Sequence, residues 1–136
     1  MVEHLADHFH AVVWIDHKEA KIFHFSPTDT SEKVVHASDP HVHIHHHANS
    51  IGSGHAAEDE KFLHAVAAEM AKSQAVLIIG PANAKHELVK HIEAHDPTIA
   101  KIIAGVEAAD HPGDGDIVAH ARAFFKQADR TTPQKI

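Results

Sequence analysis

Ala75-Val76-Leu77-Ile78-Ile79-Gly80, with Pro81 behind it, is an apolar run of strand length that ends on a glycine and a proline. Without polar alternation, such a run is expected of a strand buried on both faces, inside a sheet that helices cover. Helical periodicity flanks it. From Ala57 to Lys72, apolar Phe62, Leu63, Val66, Ala67 and Met70 recur at steps of three and four, with Glu58, Asp59 and Glu60 in the expected first turn, where the helix dipole favours them. From about Ala84 to His95, Leu88, Val89 and Ile92 share one side, and Asp96-Pro97 closes that helix. A strand between helices is joined to its neighbour by a crossover, so the later strands are expected to be parallel.

Further on, Ile99 to Val106 is rich in isoleucine and valine and reads as another strand. A loop from Ala109 to Gly115 leads to a last helix, Asp116 to Gln127, with Ile117, Val118, Ala121, Phe124 and Phe125 inward. Residues 128–136 read as a loose polar tail. Toward the N-terminus the rhythm changes. Met1 to His10 is a short lead-in, with His4 and His8 one helical turn apart. Ala11 to Asp16 and Ala20 to Phe25 read as a hairpin around Lys18-Glu19, and a loop from Ser26 to Ser31 leads to a third strand, Lys33 to Ala37. After Ser38-Asp39-Pro40, His41 to His47 reads as a fourth strand. The expected fold class is α/β: a ribonuclease H-like three-layer domain with a mixed sheet, an antiparallel meander followed by helix-strand-helix-strand-helix. It is expected to be one domain over residues 1–136, with its core at about 11–127.

The totals narrow the function. Cysteine is absent from the 136 residues, so thiolate zinc sites, disulfides and cysteine nucleophiles are excluded, and any metal must be held by His, Asp or Glu. With 12 basic and 19 acidic residues the formal charge is −7 when histidines are neutral, which argues against a broad electrostatic hold on nucleic acid. The 18 histidines could cancel much of that charge near pH 6. No run approaches a membrane span and the start does not look like a signal peptide, so a cytoplasmic protein with no membrane partner is expected.

In the stretch from His41 to Gly54, strand alternation would place Val42 and Ile44 on one face and His41, His43, His45 and His47 on the other. Ile51-Gly52-Ser53-Gly54-His55 reads as a glycine loop that supplies mobility. Side chains two apart on a strand are spread by about 6.6 Å, so three in a row cannot bind one ion unaided. His43 and His45 with His36, or with His24, from a neighbouring strand could hold zinc or nickel, although no cofactor is required. His91 and His95, with Glu87 a turn earlier, could make half a site, or be ordinary solvated residues of an amphipathic helix. Asp16 stands where a first-strand nuclease carboxylate would sit, but the turn it enters explains it. Ser53 beside His55 admits a hydrolase using the glycine loop.

On motif and layout the chain resembles the central domain of archaeal and eukaryotic peptide release factors and of the ribosome-rescue protein Pelota. The residues that carry this are Val13 to Phe23, similar to the family's opening hairpin; Leu77 to Pro81 with Lys85, similar to its buried strand and turn; and His111 to Gly115, similar to the small loop before its last helix. The resemblance covers roughly Ala11 to Phe125. It implies a bacterial stand-alone member of the wider family, of the kind called translational machinery proteins. Where the family carries Gly-Gly-Gln, this chain has Ile51-Gly52-Ser53-Gly54-His55, with no glutamine, so the hydrolytic activity is not carried over. The expected function is a small non-enzymatic protein that binds the ribosome or a translation factor through His43, His45, His47, Gly52, Ser53, Gly54 and His55. The alternative is a histidine-based metal-binding protein. A homodimer through an open sheet edge is a further expectation.

Overall fold

In the computed structural model, which describes residues 10–37 and 53–131 (backbone alone for 53–58 and 129–131), the run Ala75–Gly80 is a strand with the bounds its sequence implies. It is β4 of a five-stranded sheet that also contains β1 (His10–Ile15), β2 (Glu19–Phe25), β3 (Thr30–His36) and β5 (Ile103–Ala108). The order across the sheet is β3-β2-β1-β4-β5. β1 pairs antiparallel with β2 and β2 with β3, whereas β4 runs parallel to both β1 and β5. The sheet is therefore mixed, with the meander on one side of β1 and the crossover strands on the other.

Alternation along the central strands divides the core into two layers. Val13 and Ile15 of β1 and Val76 and Ile78 of β4 pack against Phe62, Val66 and Met70 of α1 (Ser53–Met70) and Leu88 and Ile92 of α2 (Ala84–His95). Val12 and Trp14, with Leu77 and Ile79, face the other way, onto Ile117, Ala121 and Phe125 of α4 (Asp114–Thr131). A short α3 (Pro97–Ala100) links α2 to β5. The result is the expected three-layer α/β arrangement of ribonuclease H-like type, with α1 and α2 on one face of the sheet and α4 on the other.

Most boundaries shift by a residue or two from the sequence reading, and four differences are structurally informative. Residues 97–100 form α3 where a strand was expected to begin at Ile99: Pro97 sits at the first helical positions, where its fixed φ suits a helix, and β5 starts only at Ile103. β3 begins at Thr30, inside the expected loop, because Thr30 pairs with Phe25 and Ser31 with His24 across a tight turn. In that turn Ser26 Oγ accepts hydrogen bonds from the backbone N–H groups of Thr28 and Asp29. α1 begins at Ser53, so Ser53, Gly54 and His55 belong to a helix and not a loop, and its first turn holds no acidic residue. α4 continues to Thr131, through part of the expected tail. The fourth strand expected at His41 to His47 lies outside the described residues.

Gly80 closes β4 where the chain passes directly behind β1. A Cβ built there would be driven into the Ile15 carbonyl oxygen, a backbone atom that cannot swing aside. Gly80→Ala is expected to destabilise the domain by about 3 kcal/mol. Urea unfolding would check it, with Gly115→Ala, whose Cβ would meet nothing within 4 Å, as the comparison that leaves the midpoint nearly unchanged.

Candidate functional site

The parallel strands β1, β4 and β5 end on one rim of the sheet. Asp16, just past β1, accepts hydrogen bonds from the backbone N–H of Lys18 and Glu19 on Oδ1, at 2.8 and 2.9 Å. That capped turn is the structural role the sequence reading gave it. Among the described residues Asp16 belongs to no group of three ligand atoms close enough to share an ion. Beyond β5 the chain is pinned by Ala109 N–H to the Gly80 carbonyl at 3.0 Å, and the Trp14 indole N–H donates to the Asp110 carbonyl at 2.7 Å. His111 stands over Trp14 with ring centroids 5.1 Å apart, its Nε2 3.9 Å from Asp16 Oδ2.

A cleft of about 540 Å³ opens behind this corner, between the end of β5 and the first turns of α4. Ile79 and Ile117 line its inner part, and Asp116 and the pair formed by His120 Nε2 and Glu107 Oε1, 2.7 Å apart, line its mouth. On the same side of the sheet Lys21 Nζ lies 3.1 Å from Asp114 Oδ1, and this hydrogen bond raises the lysine above its ordinary pKa. Arg122 of α4 donates to the Ser26 carbonyl at 2.8 Å and to Thr30 Oγ1 at 3.0 Å, tying α4 to the turn between β2 and β3.

Of the residues singled out from sequence, His43, His45, His47 and Gly52 lie outside the described residues, and Ser53, Gly54 and His55 form the start of α1. His36 ends β3, exposed, with Nδ1 3.9 Å from Glu19 Oε1. His24 is buried on β2, and its Nε2 lies 2.9 Å from the Glu69 carbonyl of α1. The register pairs His36 with Glu19 and His24 with Ser31, at opposite ends of the ladder and on opposite faces of the sheet, so these two histidines cannot serve one ion together.

The histidines that the fold does bring together lie across the other helical layer. One ligand atom each from His64 of α1, His91 of α2 and Asp96, between α2 and α3, lie within 4.8 Å of one another. The His95 ring is 4.5 Å from that of His91, while Glu87 turns toward His17, 3.8 Å away. His91 and His95 were legible as a helix face. The meeting of His91 with His64 was not, because nothing in local periodicity shows which face of α1 lies beside α2.

No protein-family model matches the chain, and no curated protein matches it in sequence. Its fold is similar to that of several solved structures. It matches Archaeoglobus fulgidus Pelota with a TM-score of 0.58 at 13% identity, covering 85% of this chain and 31% of that one. For the Thermoplasma acidophilum Pelota protein the TM-score is 0.56 at 17% identity, covering 85% and 32%. For an archaeal translation termination factor, aRF1, it is 0.52 at 16% identity, covering 98% and 46%. The chain thus spans a third to a half of the length of these structures, and the likeness is one of fold.

Burial, and next the neighbouring His95, hold His91 below the ordinary histidine pKa; His64 acts in the same direction, and Glu60 and Asp96 oppose it. Between that lowered value and about 6.5 the unfolded chain binds the more protons, so stability rises with pH across this interval and falls on acidification. In chelator-containing buffer, wild type is expected to lose stability relative to His91→Gln as pH falls through this interval. Urea midpoints at a series of pH values would show it.

Proposed function

We propose that this protein is a small, non-enzymatic binding domain of release-factor ancestry, acting in the cytoplasm on the ribosome or on a translation factor. The observation that carries the reading is the fold-level likeness to Pelota and to an archaeal termination factor over 85% to 98% of the chain. The sequence qualifies it: Gly-Gly-Gln occurs nowhere in the 136 residues, so the chain lacks the motif on which peptidyl-tRNA hydrolysis in that family depends. Binding without hydrolysis is the function left to such a domain.

The contact surface assigned here is the histidine-rich segment between β3 and α1, with His43, His45 and His47 foremost. Imidazoles stack on bases and, once protonated, meet phosphates. This matters for a chain with a formal charge of −7, whose other cations are few. Affinity for ribosomes is therefore expected to be higher near pH 6 than near pH 7.5. Co-sedimentation of untagged protein with ribosomes through a sucrose cushion, at both pH values, tests the reading. Binding that weakens in a variant with His43, His45 and His47 all changed to Ala would support it, and no binding at either pH would reject it.

A further inference from the structure

The outer surface of α1 and α2 holds a cluster that the ribosome reading leaves unused, and the inference drawn from it does not depend on that reading. His64, His91 and Asp96 come from three separate places in the chain, yet their ligand atoms converge within 4.8 Å. We propose that these three side chains form a site for a divalent transition-metal ion, zinc foremost, which fastens α1 to the corner between α2 and α3.

The chemistry of the donor set selects the ion. Two imidazoles and one carboxylate suit zinc, with the fourth tetrahedral position left to water or to a neighbour, whereas magnesium and calcium call for oxygen ligands throughout. In a tetrahedral site with bonds of about 2.0 to 2.1 Å, donor atoms stand about 3.3 Å apart. The cluster therefore needs to close by no more than about 1.5 Å from its 4.8 Å limit. His64 is exposed and its ring can make that movement without disturbing the core.

Two features show the ligands waiting for a partner. His91 Nε2 is buried and has no hydrogen-bond partner, an uncommon state for an imidazole nitrogen. Asp96 is placed by its backbone, whose N–H bonds the Ile92 carbonyl at 2.7 Å at the end of α2, while its carboxylate makes no capping bond to α3. Pro97 follows immediately and fixes the chain direction at the corner. The His95 ring lies beside that of His91, tilted by 40°, and is not one of the three converging ligands.

A chain this rich in histidine will bind metal loosely in many places, so the test must separate one site from the rest. Untagged protein, stripped with EDTA and dialysed free of it, is titrated with zinc chloride by calorimetry, and a parallel sample is titrated with cobalt(II). The variants are His64→Ala, Asp96→Asn and His91→Gln, with the combined His43, His45 and His47 to Ala variant as the control. The expected result is one tight zinc per chain, weakened at least about tenfold in each site variant and unchanged in the control, with intense visible bands from tetrahedral cobalt. Zinc should also raise the thermal midpoint of wild type but not of His64→Ala, whose exposed position makes a folding defect an unsuitable explanation. Tight binding that survives in His64→Ala and Asp96→Asn, tight binding lost in the control, or weak multiple binding alone in wild type would each overturn the proposal.

Discussion

β1 is the strand on which the other elements depend, because it has neither a face nor an edge open to water. Its residues from Ala11 to Ile15 are buried, alternately against the α1 and α2 layer and against α4, and its two edges are taken by β2 and β4. Each partner thus meets β1 in a separate way. α4 packs over Val12 and Trp14, and the Trp14 indole reaches the loop that precedes that helix. Gly80 must lack a side chain because the β1 backbone passes beside it. A one-residue slip of β1 would exchange the two layers, placing Trp14 among residues shaped for smaller neighbours.

The sequence was most readable where local chemistry and tertiary burial agree. Ala75–Gly80 and Ala84–His95 have the bounds expected of them, one because an unbroken apolar run suits a two-sided strand, the other because Leu88 and Ile92 repeat along a single face. It was least readable where a residue type serves two structures. Isoleucine and valine from Ile99 onward suited a strand, yet Pro97 began a helical turn first and left Ile99 packed against the core from α3. Glycine and serine at Ser53-Gly54 suggested a loop and instead open α1.

The candidate sites divide in the same way. Asp16 was explained by its turn, since an aspartate that binds the amides two and three residues on is a local matter. His36 and His24 looked interchangeable as strand histidines, and only the register of β2 with β3 separates them to opposite faces. The grouping of His64 with His91 and Asp96 depends on how one helix lies beside another, which the pattern of either helix alone does not contain. The cleft between β5 and α4 is likewise a product of connection order, arising where the strand ends meet the return of the chain.

The pairing of β1 also carries a consequence for how the chain folds. One of its edges is satisfied by β2, a few residues away, but the other waits for β4, which the chain reaches only after α1. During synthesis the first hairpin is complete while the apolar edge of β1 is still bare, and closing it requires a contact between segments far apart in sequence, the kind that slows folding. In that interval Val12 to Ile15 offers an open template to any passing strand.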